Sequence, residues 1–271
     1  MSATGSARAS RWVSGLILGL TSIIGLAAFF YPFLDQSLTQ SVASSSAHSQ
    51  DAPLMTIVLI VLCLGAVMTT LSGSQSNSKM VALLGVLSAA NAVLRAVPGP
   101  AGFSAVFMLP VLCGYVFGPT FGFLLGALSL LVSALIGAGI GPWLPFQMFA
   151  VGWVGLTSGW LPRMRVGGRL EALLLGIWGL GWGLLFGALI NIWFWPYVFQ
   201  AQQAEMYWQP GLGLVASLKR YATFYAVTSF WWDLGRALGN ALLIWLFGVP
   251  LLKLFRRYQR RFFWELEGES P

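Results

Sequence analysis

The chain has 271 residues, of which 8% are charged and 57% hydrophobic, with a mean hydropathy of +0.77. Soluble domains carry about 25% charged residues, and a soluble fold of this make-up would expose far too much apolar surface. The net charge of +7 lacks the basic and aromatic face that nucleic-acid binding requires, so composition excludes a soluble domain and a nucleic-acid binder.

Eight apolar stretches alternate with short polar joints, most of them near the ~20 residues that carry a helix across a bilayer. The first is predicted over residues 12–34. Arg8 and Arg11 precede it as in a signal peptide, but the run is long enough to span and no convincing small-residue cleavage site follows. A Ser/Ala-rich loop with Asp35, His48 and Asp51 leads to a second helix over 53–71, and the Gly/Ser/Asn joint 72–78 turns the chain back. The third helix, 79–97, ends at Arg95 and the turn Pro98-Gly99-Pro100. A short fourth, 103–117, is followed by Gly118-Pro119 and a fifth over 120–138. The irregular run from Gly137 to Trp143 precedes a sixth helix over 145–161, and a basic loop, 162–169, precedes a seventh over 170–195 that Pro196 stops. A loop over 197–220 leads to an eighth helix, 221–252, and a basic tail.

Threading these helices with the N-terminus in the cytoplasm puts eleven of the fifteen Lys and Arg inside: Arg8, Arg11, Lys79, Arg163, Arg165, Arg169, Lys253, Arg256, Arg257, Arg260 and Arg261. Only Arg95, Lys219 and Arg220 fall outside, and Arg236 lies within a helix. Positive loops resist translocation, so both termini are expected in the cytoplasm of a multi-pass plasma-membrane protein. The first two helices carry almost no polar residues beyond Ser and Thr. Helices three to eight carry the Asn, Asp and Arg. The expected organisation is a two-helix extension (1–78), a six-helix core (79–255) and a cytoplasmic tail (256–271).

Asp233, Arg236 and Asn240 stand three and four residues apart, on one helical face. A charge in hydrocarbon costs about 2.5–3.5 kcal/mol on insertion scales, so an intramembrane ionisable group marks a site by default. An internal ion pair that staples the bundle is the equally weighted alternative. Asn191, near Trp193, Trp195 and Pro196, suits either ligand contact or an interhelical hydrogen bond. Gln147 follows the irregular Gly141-Pro142-Trp143-Leu144-Pro145 segment, and irregular backbone at membrane depth is tolerated where protein or a water-filled cavity covers it. On the third helix Gly85, Ser88, Ala89 and Ala92 form small-residue stripes that suit close approach by another helix, within the chain or from a partner. Asp233 is the only acid expected at membrane depth.

Cys63 and Cys113 lie in apolar stretches and read as small hydrophobes, and His48 is the only histidine, so no metal site or cofactor is expected. There is no phosphate loop, nucleophile elbow or His-Glu-x-x-His element, so neither ATP hydrolysis by this chain nor an intramembrane enzyme is supported.

Three segments carry a family resemblance. They are Ala82 to Ala90 leading to Arg95, Gly114-Tyr115-Val116-Phe117-Gly118-Pro119 running on to Gly122, Gly126 and Ala127, and Gly141 to Met148 followed by Gly152 and Gly155. Together they resemble the substrate-binding S component of an energy-coupling factor (ECF) vitamin transporter. The resemblance implies an all-α polytopic membrane protein with a six-helix core and an outward-opening pocket. It also implies a transmembrane coupling subunit and two cytoplasmic ATPases as partners. In that family small residues on the first core helix meet the coupling subunit; here these would be Gly85, Ser88, Ala89 and Ala92. The family's stripe has alanines four apart, whereas residues 82 and 86 here are Ala and Val. The residues read above as polar or aromatic at membrane depth give the expected ligand contacts: Arg95, Trp143, Gln147, Asn191, Trp193, Asp233, Arg236 and Asn240. The Ala47-His48-x-x-Asp51-Ala52-Pro53 and Asn191-x-Trp193-x-Trp195-Pro196 segments resemble longer members tied to corrinoid uptake, which makes cobalamin the first candidate solute; other vitamins, thiamine precursors and a metal-ligand compound stay open. The rival reading is an autonomous secondary transporter, which would need coupling-ion ligands and often an inverted repeat; neither is visible.

Overall fold

The computed structural model describes residues 3–34, 51–71, 75–96, 99–164 and 166–267, and every regular element among them is helical. His48 and the 72–74 turn lie outside the described residues. The helices are α1 (Ala3–Phe30), α2 (Ala52–Leu71), α3 (Gln75–Ala96), α4 (Met108–Phe117), α5 (Pro119–Ser133), α6 (Leu144–Ser158), α7 (Gly168–Phe194), α8 (Leu214–Thr228) and α9 (Phe230–Glu267). Among the described residues, five helices are long and apolar enough to cross a membrane: Trp12–Phe33, Ser78–Ala96, Pro119–Ala138, Gly168–Tyr197 and Phe230–Arg260. The chain is an all-α polytopic membrane protein.

The short helix α4 is the centre of the bundle. Residues Met108 to Val116 are all buried, against α5, α6, α7 and α9. Ten residues rise only about 15 Å, half the hydrocarbon thickness. The predicted start at residue 103 is not helical; residues 103–107 approach the buried helix as irregular backbone. Lipid would leave that backbone's polar groups unpaired, and two asparagines supply partners instead. The Phe107 N–H donates to Asn240 Oδ1 (2.9 Å), and Asn240 Nδ2 donates to the Ser104 carbonyl (2.7 Å). Asn91 Nδ2 donates to the Val106 carbonyl (3.3 Å) and to the Ser129 hydroxyl (2.9 Å).

Glycine lets α4, α5 and α6 close on one another. A Cβ at Gly114 or Gly122 would strike the Gly155 carbonyl, and one at Gly155 would strike Gly122. Gly126 meets the Val151 backbone in the same way. The turn between α4 and α5 needs Gly118, whose φ is +102°, followed by Pro119 in the first turn of α5. A second close seam joins α7 to α9, where Gly183 faces Ala237 and Gly187 faces the Asp233 carboxylate. Without a hydrophobic drive between helices in lipid, such close approach is what holds a bundle together.

The helices α1 and α2 pair with each other and lean on α6. Phe29 meets Phe146 edge-on at 5.1 Å, and the Trp153 indole N–H donates to the Ser22 hydroxyl (3.1 Å). The Tyr31 hydroxyl donates to Asp51 Oδ2 (2.6 Å), tying the end of α1 to the start of α2.

The predicted eighth helix is two helices. At Ser229 the backbone leaves helical geometry (φ −133°, ψ −29°), and its hydroxyl donates to Asn191 Oδ1 (2.7 Å). The first of the two, α8, begins at Leu214, inside the predicted loop 197–220. It covers a small second core of Trp195, Met206, Tyr207 and Phe224. Arg220 donates to the carbonyls of Ala204 (3.0 Å) and Tyr207 (3.1 Å). Beyond the break α9 runs 38 residues to Glu267, with Pro250 inside it.

Candidate functional site

At the end of the bundle where α3 finishes, four elements bring polar side chains together. Arg95, in the last turn of α3, donates to the Ser133 hydroxyl at the end of α5 (2.7 Å) and to Gln147 Oε1 in the first turn of α6 (2.9 Å). The Ser104 hydroxyl donates to the Arg95 carbonyl (3.2 Å). Arg236 on α9 pairs with Asp233 at 2.8 Å and lies over the Phe186 ring, 5.5 Å from its centre. Asn240 links the two arginines through the backbone: its Nδ2 donates to the carbonyls of Arg236 (2.9 Å) and of Ser104, the residue whose hydroxyl bonds Arg95.

The charges in this cluster do not balance. Arg236 has Asp233, but Arg95 has only neutral partners; no carboxylate pairs with it among the described residues. The Asp233 carboxylate is 5% exposed, packed against Gly187, and its Oδ2 makes no hydrogen bond. The nearby Tyr225 hydroxyl donates to the Leu184 carbonyl instead (3.2 Å). The Arg236 side chain keeps 22% of its surface exposed and Arg95 is half-buried, so both remain reachable from solvent.

Irregular backbone borders the cluster on two sides. One is the 103–107 approach to α4. The other is the π-turn Ala134–Ala138, with Gly137 at φ +134° and Gly139 at φ +85°. These glycines adopt a backbone that other residues rarely take, and π-turns recur at functional sites. Leu135, Ile136 and Ile140 point outward from this segment.

The remaining predicted contacts sit at differing depths. Trp143 opens α6 and is 39% exposed, its indole folded over Gly141. The Trp193 ring lies 5.8 Å from Phe146 and stacks on Phe194. Asn191 donates to the Gly187 carbonyl (2.8 Å) and accepts from Ser229, so it ties α7 to the break between α8 and α9. Asn240 is wholly buried, with its amide on the backbone of residues 104 and 107. On α3, Ser88 and Ala92 are buried within the chain, whereas Gly85 and Ala89 face outward.

A second polar cluster occupies the opposite end, built around the buried acid Glu171. Glu171 lies in the first turn of the spanning helix α7 and is 1% exposed. Arg256 of α9 grips it with both nitrogens, at 2.9 and 2.5 Å. The Tyr115 hydroxyl of α4 donates to the same carboxylate (2.6 Å) and accepts from the Met164 N–H (2.8 Å). No local spacing announces this pair, because its members are far apart in sequence. Ser133 was also unmarked, a hydroxyl among the many in apolar helices.

Residues 79–248 match the family model described as ECF transporter, substrate-specific component. No curated protein and no solved structure matches the chain. The match covers more than half of the sequence, and the chain belongs to this family, whose members are transporter subunits and not enzymes.

Proposed function

We propose that this ECF substrate-specific component captures an acid-bearing, vitamin-like solute at the outer face of the cell membrane, for import driven by a transmembrane coupling subunit and two cytoplasmic ATPases. The observation that carries the reading is the unbalanced charge at Arg95. A guanidinium withdrawn from water without a counter-ion is costly, by several kcal/mol for a fully buried ion. Arg95 stands in the same cluster as a second guanidinium and borders an irregular, glycine-bearing segment. A carboxylate or phosphate on a solute would meet both arginines, with Asp233 holding Arg236 in place and Gln147 and Ser133 orienting Arg95. Trp143 and Trp193 would supply aromatic cover for a ring system. Asn240 supports the site by fixing the backbone at 104–107, and Asn191 by fixing the break at Ser229.

A corrinoid, cobalamin foremost, is the first candidate, on the resemblance of the 47–53 and 191–196 segments; its phosphodiester supplies the required anion. The charge asymmetry of the loops puts the Arg95 end outside and both termini inside. In this reading α1 and α2 are an addition to a core over 79–255 whose six membrane helices are α3–α7 and α9, with α8 beside them. The outward residues of α3, Gly85 and Ala89, are the docking surface for the coupling subunit.

Native mass spectrometry of the gently purified chain, with a vitamin panel added, tests the reading. A tightly held solute is expected, and Arg236→Ala should weaken its binding more than it weakens folding. Proton-dependent uptake by the purified chain alone would overturn the reading in favour of a secondary transporter.

A further inference from the structure

The two N-terminal helices lie outside the family match, which begins at residue 79, yet they reach the Arg95 cluster. The contacts of α1 with α6 run in antiparallel register: Ser22 meets Trp153, and Phe29, seven residues on, meets Phe146, seven residues back. Gly25, between them, lets the helices close, since a Cβ there would stand 2.7 Å from the Phe149 ring. Phe29 and Phe146 are wholly buried, with their ring planes 81° apart, the edge-on arrangement that aromatic pairs favour.

Phe146 is the residue before Gln147, which accepts from Arg95. Neighbours on a helix point about 100° apart, so one face of the first turn of α6 rests on α1 while the next meets the guanidinium. A first helical turn has few backbone bonds of its own, and this one follows the irregular segment from Gly137 to Trp143. Side-chain packing therefore sets its rotation. Turning the helix by about 20° would carry a side-chain tip ~6 Å from the axis through roughly 2 Å, enough to break the 2.9 Å bond to Arg95. The end of α1 holds a second flank. Phe146 also meets the Trp193 ring, and Phe33, in the turn after α1, meets Trp195 at 6.0 Å and Trp208 edge-on at 5.7 Å. That turn is itself fixed, by the burial of Pro32 and by the bond from Tyr31 to Asp51.

We propose that the N-terminal pair is part of the Arg95 site, with Phe29 and Phe33 as positioning residues. Phe29 aims Gln147 at Arg95 through Phe146, and Phe33 holds the segment from Trp193 to Trp195. The purpose of the site rests on the capture reading above, but its geometry is testable without a solute.

The full chain is purified in mild detergent with no solute added. Two quantities are read: hydrogen exchange in the first turn of α6, where the Gln147 N–H bonds the Trp143 carbonyl, and the rate at which phenylglyoxal modifies Arg95. Phe29→Ala raises both by about tenfold. Phe29→Leu, which keeps an apolar side chain against Phe146, recovers most of the protection. Ser22→Ala, which loosens α1 two turns away, changes neither. If Phe29→Ala does not fold, Phe33→Ala at a half-buried position keeps the test decisive, by speeding exchange at the Val198 N–H, which bonds the Trp195 carbonyl. No change from either phenylalanine variant overturns the proposal, as does an equal change from Ser22→Ala, because both leave the phenylalanines as ordinary packing. The same chains are then given cobalamin and the rest of the vitamin panel. Phe29→Ala loses affinity for whatever the native chain holds, and Ser22→Ala keeps it; native affinity in Phe29→Ala overturns the proposal. A native chain that holds no vitamin counts against the capture reading alone, and the exchange and phenylglyoxal results still decide the positioning.

Discussion

The two ends of the bundle solve the same problem in opposite ways. Each places arginine against buried polar groups at the edge of an apolar interior. In the Glu171 cluster the acid is fully matched: Arg256 grips the carboxylate at both oxygens, and Tyr115 completes the set. At the Arg95 end there are two guanidinium groups and one carboxylate: Asp233 pairs with Arg236 and leaves one oxygen without a hydrogen bond, while Arg95 meets only Ser133 and Gln147. A closed set holds helices together, and an open set leaves a charge for something else to neutralise. That contrast separates structural support from the proposed solute capture more sharply than burial does.

The contrast can be broken by substitution. The largest effect is expected at the closed end, where Glu171→Ala leaves Arg256 without its acid. Removing one partner of a buried pair is strongly destabilising, and with Arg256 37% exposed the loss should be about 3 kcal/mol, read as a lowered unfolding midpoint. Solute affinity should hold, and a variant that folds normally but fails to bind would erase the distinction. At the open end Arg95→Met should do the reverse. Affinity should fall by about 2 kcal/mol, near 30-fold, while the empty protein keeps or gains stability because an unpaired charge has gone. A destabilised Arg95→Met would show that Arg95 is a staple.

Asn240→Leu sharpens the picture, since it touches neither charge set. It should cost about 1–2 kcal/mol by orphaning the Phe107 N–H and the Ser104 carbonyl, with binding reduced only as far as the backbone beside Arg95 shifts. Hydrogen exchange at Phe107 would report the loss directly. The smallest effect is expected from Tyr115→Phe, about 1 kcal/mol, because Arg256 still satisfies Glu171.

Much of the fold was legible because lipid imposes long apolar runs and positive loops leave an asymmetry. The glycines quoted for the family resemblance, from Gly114 to Gly126 and at Gly152 and Gly155, are those that let α4, α5 and α6 touch. The break at Ser229 was hidden, since Tyr225 to Trp232 holds no Gly, Pro or charge and the signal is a tertiary hydrogen bond to Asn191. The irregular start of α4 was hidden for the same reason: residues 103–107 are as apolar as a helix, and what allows them to unwind is Asn240, distant in sequence. At the candidate site, Arg95 and Gln147 were each visible, but their bond was not, because nothing local to either names the other. Glu171 was passed over beside three nearby arginines, although its true partner is Arg256.

The length of α9 has a mechanical consequence. Its 38 residues would extend roughly 57 Å, nearly twice the ~30 Å hydrocarbon thickness. Asp233 and Arg256 ride on this one rod, roughly 35 Å apart. A rod clamped near one end by a closed ion pair and loaded near the other by a charged cargo is a lever. Turning it by about ten degrees would carry the loaded end through roughly 6 Å, more than one helical turn. Under the proposed capture the fastening at Glu171 would be a fulcrum, and its stiffness would set how faithfully the presence of cargo is felt on the far side of the bilayer.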